Sequence, residues 1–175
     1  MNERLKFIFE NVNSWLSFAE AKNGALVALD VAILAGVTAL GSFDIYNCFW
    51  VFVIIAVCTS MMISLISFIP FTGNKSEKFM EIIIKKDIQS ATKNYLFYTY
   101  IASYKSTDSD IRRYLLEMAS DYNERNYQVT LEDYDIASEI ICNAKLVLRK
   151  YKLFKNALLI LFFTILALCI AVILA

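Results

Sequence analysis

The chain has 175 residues, 58% of them hydrophobic and 14% aromatic, with a mean hydropathy of +0.52, which is too apolar for an ordinary soluble domain of this length. Its 17 basic and 17 acidic residues cancel, and that balance excludes the strongly basic footprint of a protein that binds nucleic-acid polymers. With no histidine, no cysteine pair at metal spacing and no glycine-rich loop, the sequence offers no catalytic residues, no metal site and no cofactor.

Residues 1–23 read as a cytoplasmic amphipathic helix. Glu3, Glu10 and Glu20 fall where a cleaved signal peptide would need an uninterrupted apolar run, so the segment is expected to stay in the mature protein. Three stretches, 24–42, 49–69 and 156–175, are long and apolar enough to cross a hydrocarbon core of about 30 Å, which takes about 20 residues as helix. The second of them, FWVFVIIAVCTSMMISLISFI, carries no charge and is closed by Pro70. Residues 24–71 are therefore a two-span membrane hairpin. Arg4, Lys6 and Lys22 precede it, the other fourteen basic residues lie between Lys75 and Lys155, and the connection SFDIYNC has none. By the positive-inside rule the N-terminus and residues 72–155 are cytoplasmic, whereas the hairpin turn and the C-terminus lie outside. Cys48, Cys58, Cys142 and Cys169 read as small apolar residues.

The cytoplasmic stretch 72–155 is a helical stalk. Its apolar positions recur at helical spacing, first at Phe79, Ile82 and Ile83, then at Tyr95, Leu96, Tyr98 and Ile101, then at Ile111, Tyr114, Leu115 and Met118. Ser106, Thr107, Asp108 and Ser109 form a loop with a helix-starting cap. Thr130, with Asp133 three residues on, opens a last helix of about 45 residues that runs without a breaker into the third span, 156–175. The fold class is an all-α membrane protein.

The first span has two faces. Ala21, Ala25, Ala28, Ala32, Ala35 and Ala39 recur at spacings of four and three, a heptad seam of small residues flanked by Gly24 and Gly36. Such a seam either joins copies into a homo-oligomer by close backbone approach or packs on the second span of the same chain. Asp30 lies nine residues after Ala21, about 180° round the helix, with Asn23 beside it. A carboxylate at mid-bilayer costs about 2.5–3.5 kcal/mol on insertion scales, so it faces protein or water. Three placements stay open: a protonated Asp30 hydrogen-bonded to Thr59, Ser60 or Ser64 of the second span, a polar path lined by Asp30 of several copies in an oligomer, or a position near the interface.

On the cytoplasmic side Lys105, Arg112 and Arg113 are the candidate set for a phosphate ligand, and equally for anionic lipid headgroups. Glu117, Asp121 and Glu124 read as a solvated acidic face rather than a metal cluster. Tyr95, Phe97, Tyr98, Tyr100 and Tyr104 fit core packing or interfacial anchoring better than a base-stacking platform.

WLSFAEAKNGALVAL near the start, NYLFYTYIASY in the middle and DYDIASEIICNAKLVLRKYKLFKNAL before the last span occur together and in order. The blocks carry Trp15, Phe18, Ala19 and Lys22, then Asn94, Phe97 and Ile101, then Asp135, Ile140, Asn143, Lys150, Tyr151 and Ala157. In these the chain resembles the transmembrane effectors of Pycsar antiphage defence. The resemblance implies a bacterial inner-membrane protein that oligomerises and damages the membrane or dissipates its potential when infection raises a cyclic nucleotide. Many such effectors carry a separate cyclic-nucleotide-binding domain, and this sequence has neither a β-rich segment nor a phosphate loop to supply one. The trigger is then a cyclic nucleotide or a cognate soluble partner. The alternative is a membrane-anchored adaptor that docks a soluble partner through its stalk.

Overall fold

A computed structural model describes residues 1–39, 48–69 and 92–174 of the chain. Every regular element among them is helical: α1 spans Asn2–Ala39, α2 Cys48–Ile66, α3 Tyr98–Ile101, α4 Asp108–Asp121 and α5 Leu131–Leu174. The connection at 42–47 and the positions Phe79, Ile82 and Ile83 lie outside the described residues. Three helices, α1, α2 and α5, are long and apolar enough to cross a membrane. The chain divides into two compact units, Met1–Phe18 with Phe71–Arg149, and Ala19–Pro70 with Lys150–Ala175.

In the first unit the helix starts follow from local chemistry. The Thr107 side chain accepts the Asp110 N–H at 3.4 Å, and Asp108 and Asp110 occupy the first turn of α4, where carboxylates suit the exposed N–H groups. Thr130 accepts the Asp133 N–H at 3.1 Å and opens α5 in the same way. At the other end of α4, Asn123 takes φ 55°, and Glu124 N–H donates to the Ala119 carbonyl at 3.0 Å. That left-handed residue ends the helix, and asparagine tolerates it better than most side chains. Leu5, Ile8 and Val12 of α1, at alternating spacings of three and four, are fully buried, as are Ile140, Ala144 and Val147 of α5. Polar ties fix the register of this core. Asn11 Nδ2 donates to the Leu96 carbonyl at 2.7 Å, and Asn143 Nδ2 donates to Asn13 Oδ1 at 2.9 Å.

The second unit is built from three helical segments with one buried stripe each: Asn23, Leu26, Asp30 and Val37 on α1, Val53, Val57, Ser60, Ser64 and Ser67 on and after α2, and Lys150, Ala157, Leu161 and Thr164 on α5. The spacings of three, four and seven are those of helices packed at a small crossing angle. Their register repeats by the heptad. Asn23 meets the Lys150 carbonyl, and the Lys150 side chain meets the Ser67 carbonyl. Seven residues along each helix, Ser60 joins Asp30 and Ala157.

One boundary changes. Residues 1–23 run straight into the first span as one continuous helix. Asn23 Nδ2 donates back to the Ala19 carbonyl at 2.9 Å, and the helix passes Gly24 uninterrupted. The second helix ends at Ile66, three residues early, because Ser67, Phe68 and Ile69 tighten into three-residue turns onto Ser64, Leu65 and Ile66.

Candidate functional site

The polar residues of the second unit lie on its inside. Asn23 and Asp30 are both 0% exposed, as are Ser60 and Ser64. The Ser60 hydroxyl oxygen lies 3.2 Å from Asp30 Oδ2 and 3.2 Å from the Ala157 carbonyl oxygen, so one hydroxyl touches α1 and α5 at once. Thr59 takes no part: it is exposed and donates to its own Ile55 carbonyl at 2.7 Å. Asp30 Oδ1, Asn23 Oδ1 and Ser64 Oγ have no hydrogen-bond partner among the described residues. Buried polar atoms in that condition are rare, and in a membrane interior each is costly.

Two turns away the same three helices are tied by Lys150. Its ammonium is 3.0 Å from Glu20 Oε1, donates to the Ser67 carbonyl at 3.0 Å and lies 5.4 Å from the centre of the Phe68 ring. Asn23 Nδ2 donates to the Lys150 carbonyl at 3.4 Å. A cation placed on carbonyls that follow the end of α2 complements that helix's dipole. Lys150 and Glu20 were not legible as a site from sequence, because Lys150 reads as one of several cations before a span. The available signal was its heptad spacing from Ala157, itself two helical turns into the same stripe.

The alanine seam lies on the opposite face. Ala21, Ala25, Ala28, Ala32, Ala35 and Ala39 are all exposed, so they do not pack on the second span of their own chain. A Cβ built on Gly24 or Gly36 meets no atom of the described residues within 4 Å. The outward faces of the other two helices carry large side chains, Phe52, Ile55 and Met62 on α2 and Phe162, Phe163 and Ile170 on α5, and α1 also exposes Leu29 and Val31 beside its alanines. The structure thus brings Asp30 to Ser60 and Asn23 to the Lys150 carbonyl, and brings neither to the surface that the alanines form.

Lys105, Arg112 and Arg113 cluster at the start of α4, where carboxylates already meet them. Arg112 Nε is 3.2 Å from Asp108, Arg113 is 2.9 Å from Asp110 and 3.6 Å from Glu117, and the Lys105 N–H donates to Asp110 at 3.2 Å. Arg112 and Asp108 line a surface pocket of about 350 Å³ with Val129, Thr130, Leu131 and Tyr134. Glu117, Asp121 and Glu124 are each engaged by a cation or a tyrosine. Tyr104 donates to Glu117 at 2.6 Å, Tyr95 donates to Asp121 at 2.6 Å, and Glu124 holds Arg4 at 3.3 Å. Hydrogen bonds from Lys93 and then Tyr95 hold the Asp121 carboxyl below its ordinary range. No group of three or more metal-ligating side chains occurs among the described residues. Tyr95 and Tyr104 are core residues, packed edge to face on Tyr114 with ring centres 5.9 and 5.2 Å away.

A family model described as a Pycsar effector protein domain matches residues 4–175, nearly the whole chain. Neither a curated protein nor a solved structure matches it.

Proposed function

As the chain belongs to the Pycsar effector protein family, we propose that this membrane protein of antiphage defence acts by assembling through α1 and breaching the bilayer, in the bacterial inner membrane with its N-terminus in the cytoplasm. The observation that carries this reading is the opposition of the two faces of α1, small residues outward and polar residues inward. Two glycines inside a helix cost about 0.5–1 kcal/mol each relative to alanine. None of the described residues fills the space beside them, whereas a second copy approaching closely would use it. Because Asp30 lies inside each protomer, assembly through the seam leaves it enclosed, and a polar path requires the three helices of the second unit to part. The first unit receives the trigger, a cyclic nucleotide or a soluble partner, and the pocket beside Arg112 is where we place it.

The test is a membrane-potential dye in cells that express the chain to equal level with and without the activating signal. Depolarisation only with the signal supports an effector. No depolarisation with the signal supplied favours the anchoring role. Reporters fused after Ala175 and inserted at Ser106 test the orientation, the first active outside the cytoplasm and the second inside it.

A further inference from the structure

Counting hydrogens at Ser60 leads to a site that the defence role does not require. The Ser60 hydroxyl has one hydrogen, and two acceptors lie 3.2 Å from it, Asp30 Oδ2 and the Ala157 carbonyl oxygen. Were Asp30 ionised, that hydrogen could serve only one of them, and a carboxylate with no exposure at all would hold at most a single donor while its Oδ1 holds none. An isolated buried carboxylate is among the most expensive groups in a protein, and it neutralises rather than persist. With a proton on Oδ2 the count closes. The acid donates to Ser60 Oγ, Ser60 donates to the Ala157 carbonyl, and Oδ1 becomes an ordinary carbonyl oxygen, the polar atom most often tolerated without a partner.

We infer that Asp30 is a proton-binding site whose proton links α1 to α5 through the Ser60 hydroxyl, and that its loss unlocks the three helices of the second unit. Among the described residues nothing charged on the helices packed here faces this acid. α2 carries no charged residue, α5 carries none after Lys155, and the charged residues of α1 nearest to Asp30, Glu20 and Lys22, lie two turns or more away. Glu20 is moreover engaged by Lys150. Among the described residues no neighbouring cation is therefore available to hold the ionised form in the closed arrangement. When the proton leaves to water, one hydroxyl hydrogen remains for two acceptors, and the carboxylate regains its donors only if the helices separate enough to hydrate it.

The test is infrared spectroscopy of the full chain in lipid vesicles at neutral pH, read on the carboxylic-acid carbonyl band. The band is expected in the parent, absent from Asp30→Asn, and shifted in Ser60→Ala, which deletes the acceptor of the acid's hydrogen bond. A parent with no such band overturns the proton site, and a band indifferent to both substitutions belongs to another acid and overturns it equally. The lock is read by unfolding in mixed micelles from about pH 6 to about pH 9. Each pH unit over which the closed unit keeps a proton that the opened chain has lost lowers the folded-to-unfolded ratio of the parent about tenfold, and leaves Asp30→Asn unchanged. Equal pH dependence in the two proteins overturns the lock. Neither readout uses depolarisation, so failure here is separate from failure of the effector reading.

Discussion

The Lys150 ammonium stands 3.0 Å from the Glu20 carboxylate and reaches past it to the Ser67 carbonyl, also at 3.0 Å, so a single side chain joins three helices. The two contacts differ in environment. Lys150 is 10% exposed and Glu20 49%, so water competes for the carboxylate far more than for the ammonium. Lys150→Met keeps the apolar stem and removes the donors, and is expected to cost about 1.5–3 kcal/mol, the range for hydrogen bonds to a charged group. Glu20→Gln should cost less than about 1 kcal/mol, because a half-exposed ion pair contributes little. Thermal unfolding in detergent compares them, and a larger loss for Glu20→Gln would show that the ion pair rather than the carbonyl contact carries the tie.

The outward alanines give a prediction in which folding and assembly separate. Leucine at Ala28 and Ala32 replaces two exposed residues, and surface substitutions of that kind fall within about 0.5 kcal/mol. Two copies that approach through the seam would be forced apart. The double variant should therefore melt like the parent yet run smaller by crosslinking and light scattering. An unchanged size would place the oligomer contact elsewhere.

The sequence made the two faces of α1 legible because a helix advances by a fixed angle, and nine residues from Ala21 to Asp30 place the acid opposite the seam whatever the helix packs on. The partner of that acid was not legible. Thr59, Ser60 and Ser64 are all within reach on a helix of unknown rotation, and α2, having no charge, offers no signal of which side faces inward. Packing decides it, putting Ser60 inside and Thr59 outside. The caps at Thr107 and Thr130 were readable for a local reason, since a side-chain acceptor three residues before a free N–H needs no tertiary context. The Lys150 tie needed all of it, because its partners stand on two other helices far away in the chain.

Acid should loosen the first unit. Asp121 is held below its ordinary 3.8 mainly by the hydrogen bond from Lys93 and then by Tyr95. Glu132 is held below its ordinary 4.5 by hydrogen bonds from Asn2 and Lys6. A carboxyl whose folded value is depressed binds fewer protons folded than unfolded, so its contribution is complete above the ordinary value and is lost as the pH falls through and below it. The near-UV circular dichroism of the tyrosine cluster, followed downward from about pH 5, is expected to decline in the parent and to decline less in Asp121→Asn, where one of the linked groups is gone. An identical decline in the variant would assign the transition to other carboxyls.

Tyr104 and Tyr114 provide the sharpest contrast, since their rings touch with centres 5.2 Å apart and both are buried, yet their hydroxyls differ. Tyr104 donates to Glu117 at 2.6 Å, and its oxygen lies 2.8 Å from that of Tyr100. The Tyr114 hydroxyl has no partner among the described residues. Phenylalanine at either position keeps the ring contacts and deletes only the oxygen. At Tyr104 the change removes a hydrogen bond to a carboxylate, and the expected loss is about 1–2 kcal/mol, moderated because Glu117 is partly exposed and water can replace the phenol. At Tyr114 it removes a buried polar group with no partner among the described residues, so the variant should match the parent or exceed it by up to about 1–3 kcal/mol, the cost of an unsatisfied hydroxyl. The two values are not expected to add in the double variant, because the rings share a contact. Thermal midpoints of the full chain in one detergent decide between them, and equal losses at the two positions would mean that an ordered water satisfies Tyr114 and makes its hydroxyl part of the core.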